Sequence, residues 1–363
     1  MTIFTEWKMK QHKIAVIRGD GIGLEVIEEG IKVLDTLGSK YNFKLNYTEL
    51  PWGSDWYFKN DSMMPVDAIN QLSSYDAIYL GAVGHPELQD HVTLNGLLLP
   101  IRRAFDQYVC LRPSILYPGI NSPLSGYKSG EIDFIVVREN TEGEYANAGG
   151  FQYLDFPAEL GVQTAIFTRH GCERVIKYAF DLAVKRAGKK LVTSITKSNA
   201  QGYGMVVWDR AFERIAAQYP EIKTESLLID AACMEFIRRP DSFDVVVGSN
   251  LFGDILTDIG GIITGSIGLS GSANIDPERR FPSMFEPVHG SAPDIAGKGI
   301  SNPIAAILSG AMMLNHLGHV EASTEIEKAV KKILQRGDVL TADLGGQANT
   351  EIMGNAIVAA LNH

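Results

Sequence analysis

The chain has 363 residues, 45% of them hydrophobic and 21% charged, a balance typical of a folded globular protein with room for about two domains. Its formal net charge is −10 and it carries no Lys/Arg block, which argues against nucleic acid and anionic membrane surfaces as partners. The opening MTIFTEWKMKQHK lacks an apolar core of signal-peptide length. The longest apolar stretch, 303–314, is broken by Ser309 and Gly310 and is too short to span a bilayer. Cys110, Cys172 and Cys233 are far apart with no C-x-x-C spacing, so reduced thiols and a cytoplasmic location are expected.

The first predicted element is a strand over the apolar run 14–17. It ends at GDGIG and opens onto a helical pattern of Val26, Ile27, Ile31, Val33 and Leu34. Strand, glycine turn and helix begin a dinucleotide-binding unit, but that fingerprint reads G-x-G-x-x-G and this one G-x-G-x-G. The acidic residue due about 20 positions later has no good candidate. Asp35 lies inside the helical pattern, and Glu49 lies near the end of a weak strand, FKLNYTEL. A close strand-to-helix turn that needs glycine angles is the favoured reading, with a cofactor role left open.

Further apolar runs at 77–83, 134–137, 191–195, 227–229 and 245–247 alternate with helical patterns. Such runs read as buried parallel strands of an α/β fold, whose ligands gather at the carboxyl ends of strands. Arg138, Lys197, Asp230 and Asn250 follow these runs and are the polar residues to weigh first. The stretch 145–171 reads as an excursion or hairpin arm, and 265–285, rich in Gly, Ser, Asn and Pro, as a long loop.

Two clusters carry chemistry. IRRAFDQYVCLRP supplies Arg102, Arg103 and Arg112, and VVREN supplies Arg138, with Tyr145 seven residues on. A guanidinium holds a carboxylate bidentately, so several together suit a small polyanion, although each alone reads as an ordinary ion-pair residue. In DVVVGSNLFGDILTDIGG, Asp254 and Asp258 are four apart and share a helix face. Their neighbours Ile255, Leu256 and Ile259 are apolar, and two like charges in a buried setting call for a cation, with a divalent metal fitting the hard oxygens. Two solvated aspartates are the alternative at this point, and Asp230 alone reads as a turn residue ending the preceding strand.

With NLFGDILTDIGG, FDQYVCLRP, VVRENTEGEY and FEPVHGSAPDIAGKGISNP in this order and spacing, the chain resembles a known family over essentially its whole length, from KIAVIRGDGIG to the C-terminus. These are the metal-dependent decarboxylating dehydrogenases of 2-hydroxy acids, the isocitrate/isopropylmalate dehydrogenase family. The strongest likeness is to its tartrate/D-malate branch. The resemblance implies a two-domain isopropylmalate-dehydrogenase-like α/β fold with parallel or mixed sheets, not an ordinary Rossmann fold. Residues 1–108 plus 262–363 would form the large domain with the NAD-binding loop. Residues 109–261 would form a central domain with the substrate and metal residues, an arm at about 145–171 and the interface of a homodimer.

Residue by residue, the resemblance assigns Asp254 and Asp258 to Mg²⁺ or Mn²⁺, with Asp230 donated across the dimer. Arg102, Arg112 and Arg138 match the substrate-carboxylate arginines, whereas Arg103 falls outside the spacing. Tyr145 and Lys197 match the proton-transfer pair, with Lys197 also donated across the interface. His289, Gly290, Ser291, Ala292, Asp294 and Asn302 match the cofactor site. Where relatives prefer NADP, a lysine and a tyrosine stand at the places of Asp294 and Ile295, so NAD is expected. Asp294 also reads as a helix cap. K⁺ is a further candidate ion. GDGIG would then lie near the nicotinamide end of the cofactor and not cradle its phosphates.

The substrate expected from the same likeness is a small 2-hydroxy dicarboxylic acid, with tartrate and D-malate foremost. Gly96 and Leu98 stand where isocitrate enzymes hold a third carboxylate with serine and asparagine, and Asn95 stands where isopropylmalate enzymes carry glutamate. Leu98 itself matches an isopropylmalate enzyme, so 3-isopropylmalate is the alternative. A catalytically silent regulatory relative of isocitrate dehydrogenase is the non-enzyme alternative.

Overall fold

The computed structural model describes residues 9–362. Among them the strands are β1 (Lys10–Gly19), β2 (Phe43–Glu49), β3 (Ala77–Ala82), β4 (Val109–Ile115), β5 (Asp133–Glu139), β6 (Gly143–Gln152), β7 (Leu160–Ile166), β8 (Leu191–Thr196), β9 (Lys223–Leu228), β10 (Val245–Gly248), β11 (Gly271–Ile275) and β12 (Ser283–Pro287). The chain divides into two compact units. The first is Met1–Ile101, Gly268–Ala273 and Arg279–His363, and the second is Arg102–Ile267 with Asn274–Glu278. Arg102, which a boundary at 108/109 assigns to the larger domain, lies in the second unit. Among the described residues no helix is long and apolar enough to cross a membrane.

In the first unit, β2, β1, β3 and β12 lie side by side in that order, all parallel. The run that suggested β1 is fully buried: Ile14, Ala15, Val16 and Ile17 expose nothing. The helix Gly23–Gly38 buries Val26, Ile27, Gly30, Val33, Leu34 and Leu37, an i, i+3, i+4 stripe that faces the strands. The helix Ile304–His316 is buried on nearly all sides, between β12, β3 and the helices Gly23–Gly38 and Val320–Arg336. That position explains the apolar stretch at 303–314.

The second unit is mixed. β4 runs antiparallel to β5, and β5, β10, β8 and β9 follow in parallel. Phe134, Phe236 and Phe243 form its aromatic centre, with ring centroids 4.8 to 5.9 Å apart. Trp208 is fully buried and donates its indole N–H to Ser194 at 3.0 Å, so no polar atom is stranded there. Away from these strands, β6 and β7 form a separate antiparallel hairpin.

Three sequence-based expectations are corrected. The stretch 265–285 is not one long loop, because it contains β11 and the start of β12, both buried throughout. Asp230 does not end a strand: β9 stops at Leu228, and Asp230 is the second residue of the helix Ile229–Arg238. No helix starts at Asp294, where the chain makes a turn and the next helix begins at Ile304.

Candidate active site

The helix Asn250–Ile263 carries Asp254 and Asp258 directly after β10, the strand end at which an α/β fold gathers ligands. Asp254 is the centre of a tight cluster. Arg138, at the end of β5, pairs with Asp254 Oδ1, and Arg112 of β4 donates to the same oxygen at 2.9 Å. Tyr145 donates its hydroxyl to Asp254 Oδ2 at 3.1 Å, and its ring lies 5.5 Å from the Arg138 guanidinium. Arg102 is buried and adds its charge to both Asp254 and Arg138.

Opposing effects set the charge states. Burial disfavours the Asp254 carboxylate, but Arg138, Arg112 and Arg102 outweigh it and bring the pKa down to about 2. Asp258 moves the other way, raised by burial first and then by the Asp254 charge. Burial, and after it the Asp254 carboxylate, hold the Tyr145 phenol above its ordinary value. Tyr145 therefore keeps its proton through the neutral range and is a competent proton donor. Arg138 is 2% exposed and burial lowers its pKa, an effect the Asp254 charge opposes.

The donor set fits a hard divalent cation. An ionised Asp254 and an Asp258 destabilised by its like-charged neighbour sit one helical turn apart, and a cation relieves that repulsion. Among the described residues no three His, Cys, Asp or Glu side chains are placed to share an ion. Asp230 instead pairs with Lys197 at 2.5 Å, on an exposed part of the second unit, and this pairing lowers the Asp230 pKa. Arg112, Arg138, Tyr145 and Asp254 are thus brought together, while Lys197 and Asp230 form a second, outward-facing pair.

The loop 287–297 belongs to the first unit. His289 donates Nδ1–H to the Gly290 carbonyl at 2.9 Å, which leaves Nε2 as an acceptor, shielded from solvent and with no partner among the described residues. Burial lowers the His289 pKa, so the ring is neutral near pH 7. A Cβ at Gly290 would meet nothing within 4 Å, so the backbone there is open to a ligand. Asp294 is exposed, and the Asn302 amide donates to Asp343 at 3.0 Å while its oxygen accepts the Ile304 N–H. An unused imidazole acceptor beside open backbone and an exposed carboxylate suits a dinucleotide's hydroxyl and amide groups.

GDGIG packs directly against this loop. Ile22 donates its N–H to the Ser291 carbonyl at 2.9 Å, and Gly21, at φ 55°, sits where a Cβ would fall on that same oxygen. Asp20 is buried and accepts from Ser54 N at 2.8 Å, Ser54 Oγ at 2.7 Å and Gly84 N at 2.8 Å. The turn is therefore a close-packed junction beneath the loop.

The family model for isocitrate/isopropylmalate dehydrogenase matches residues 13–357. The chain belongs to the isocitrate/isopropylmalate dehydrogenase family. It is 50% identical over 353 residues to a tartrate dehydrogenase/decarboxylase of Pseudomonas putida, covering 95% of this chain and 96% of the relative. It is 49% identical over 356 residues to the D-malate dehydrogenase (decarboxylating) of Escherichia coli strain K12, covering 96% and 98%. Among solved structures, isocitrate dehydrogenase from Methylococcus capsulatus superposes with a TM-score of 0.87 at 34% identity, covering 97% of this chain and all of that one.

Several contacts in this isocitrate/isopropylmalate dehydrogenase family member escaped the sequence reading. Asn250, noted only as a polar residue past a strand, accepts from Arg138 Nη2 at 2.7 Å and Nε at 3.1 Å and so fixes its fork. Thr257 accepts from Arg112 at 2.8 Å; its only signal was its place one turn beyond Asp254. Arg103, outside the substrate spacing, donates to the Tyr145 carbonyl at 3.4 Å. Gly84, His85 and Glu87 line a cavity of about 660 Å³ together with Gly290, Ser291 and Pro293.

Proposed function

We propose that the protein oxidises and decarboxylates a small 2-hydroxy dicarboxylic acid with NAD and Mg²⁺ or Mn²⁺, with D-malate and tartrate as its substrates. The observation that carries this reading is the convergence on Asp254 of two buried arginines and a protonated tyrosine. It joins in one place an anion clamp, a cation ligand and a proton donor. The relatives named for tartrate and D-malate, aligned over nearly the whole chain, support the choice of diacid.

In this reading Arg102, Arg112 and Arg138 bind the substrate carboxylates through planar, always-charged forks. Lys197 of a second copy takes the C2 hydroxyl proton. Tyr145 gives a proton to C3 once CO₂ has left, so that D-malate and NAD⁺ become pyruvate, CO₂ and NADH. When bound at Asp254, Asp258 and the second copy's Asp230, the cation supplies Lewis-acid polarisation of the C2 oxygen, and NAD at His289, Gly290, Ser291, Ala292, Asp294 and Asn302 supplies the hydride acceptor.

The homodimer is part of the proposal. Met234 and Ile237 on the helix Ile229–Arg238, and Ile255 and Ile262 on the helix Asn250–Ile263, are 43% to 58% exposed. The two helices pack together, so these side chains offer an apolar face to a second copy. That contact would bring Lys197 and Asp230 to the neighbour's Asp254. Leu98, which the family resemblance sets at the place of a leucine in isopropylmalate enzymes, keeps 3-isopropylmalate as a second reading. The deciding experiment is NAD reduction with D-malate, L-tartrate, meso-tartrate, 3-isopropylmalate and isocitrate, with Mn²⁺ and K⁺ present. Turnover highest on D-malate or a tartrate supports the proposal; turnover highest on 3-isopropylmalate or isocitrate, or on none, overturns it.

A further inference from the structure

We propose that Glu144 is a positioning residue, which caps the helix Asn250–Ile263 from outside and thereby fixes where its chain neighbour Tyr145 meets Asp254. The proposal rests on the roles given above to Tyr145 and Asp254. Ser249 is the N-cap of that helix, with extended backbone angles, yet its side chain makes no cap hydrogen bond of its own. It donates instead to Glu144 Oε1 at 2.7 Å, while the Leu251 N–H donates to Glu144 Oε2 at 3.1 Å. One carboxylate thus satisfies a hydroxyl and one of the helix's orphan amides, at the end where the helix dipole favours an anion. The helix supplies no acid of its own there, since its first turn carries none.

The backbone around Glu144 is built for this task. Neighbouring side chains on a regular strand point to opposite faces. Glu144 and Tyr145 nevertheless both reach the same helix, one at Ser249 and Leu251, the other at Asp254. The hairpin explains how. Gly143 pairs with Ile166 and Ala148 with Thr164, so five steps along β6 oppose two along β7. Asn147 within this bulge takes a left-handed φ of 52°. Such a bulge re-aims side chains that pairing would otherwise separate. A further tie holds the segment to the first turn of the helix: the Asn250 amide donates to the Glu142 carbonyl at 3.2 Å. Leu251 lies one turn before Asp254, so the cap sets the end of the helix from which Asp254 projects.

The test compares the full-length native protein with Glu144→Ala, Glu144→Gln and Tyr145→Phe. It measures kcat and KM for D-malate and NAD with Mn²⁺, and hydrogen exchange of the Leu251 amide without ligands. Misplacement of a reacting group by 1 Å costs up to about 100-fold. Glu144→Ala is therefore expected to lower kcat roughly tenfold or more, leave KM for NAD within about twofold, and speed Leu251 exchange. Glu144→Gln keeps an acceptor for Leu251 and a polar partner for Ser249, and is expected to recover most of both. The proposal is overturned if Glu144→Ala keeps native kcat. It is also overturned if Gln restores Leu251 protection but not kcat, or if kcat falls only in proportion to lost folded protein. A native protein inactive on every diacid defeats the proposed function, while Leu251 exchange still decides whether the cap exists. Tyr145→Phe with native kcat defeats the Tyr145 assignment and this positioning role with it.

Discussion

At the scale of single residues, the turn after β1 shows how a close approach dictates an amino acid. Gly21 combines a positive φ with a position where any Cβ would strike the Ser291 carbonyl. A non-glycine residue in that backbone region costs about 1–3 kcal/mol, before the clash is counted. Gly21→Val is expected to destabilise the protein by at least that much in urea unfolding, and to raise KM for NAD because the loop at Ser291 must shift. A variant with native stability and native KM would contradict the packing described.

The His12–His319 pair makes a second prediction at this scale. Their Nε2 atoms lie 2.9 Å apart, so one ring donates its Nε2–H and the other accepts, and the accepting ring cannot be protonated at Nε2 without losing the contact. Burial, then the neighbouring His12 and Lys10, bring His319 down to about 4, and burial also lowers His12. Below pH 6.5 these two histidines bind more protons in the unfolded chain than in the folded one. The stability from this pair is therefore complete above about pH 6.5 and drains away as the pH falls toward about 4. Glu139 acts in the opposite direction, because burial pushes it up to about 7 and its contribution is lost as pH rises from 4.5 to 7. The clean readout is a difference: the melting temperature of His319→Phe should fall less than that of the native protein between pH 7 and pH 5. Parallel curves would show that the pair does not carry the effect.

At the scale of elements, the β6–β7 hairpin carries a run of exposed apolar side chains. Phe151, Tyr153, Leu154, Phe156, Leu160, Val162 and Ile166 are 41% to 71% exposed. A two-stranded hairpin is marginal alone in water, and full burial of one such side chain is worth about 1.5–3 kcal/mol, so a contiguous patch favours a partner surface. Replacing Phe151 and Phe156 with serine should shift the proposed dimer toward monomer in light scattering and lower activity, because Lys197 and Asp230 act on a neighbouring copy in the proposed function. A fully active monomer would contradict that account. The β6–β7 hairpin and the Asp254/Asp258 helix were legible because their signals are local: alternation in one, an i, i+4 pair among apolar neighbours in the other. β11 was not. Its GSANI looks like a loop, yet small residues are required because a Cβ at Gly271 would meet Ser309 N at 3.0 Å on the buried helix Ile304–His316. The boundary at Asp230 failed for a different reason, since Leu228 and Ile229 are equally apolar while only Leu228 is extended.

At the scale of the whole molecule, the α/β class followed from alternating apolar runs and the mixed sheet from the family resemblance, whereas contacts between distant segments followed from neither. Glu144 and Ser249 are 105 positions apart, and no spacing rule links them. Arg112 and Thr257 are 145 apart and meet only once β4 lies beside the helix after β10. Asp254 is the residue on which the local and the distant signals converge. The most direct test of the central claim follows NADH and CO₂ together as the purified protein acts on D-malate with NAD and Mn²⁺. Equal amounts of NADH, CO₂ and pyruvate are expected, with turnover abolished by a metal chelator and by Asp254→Asn. NADH without CO₂, or turnover that survives both the chelator and Asp254→Asn, would contradict it.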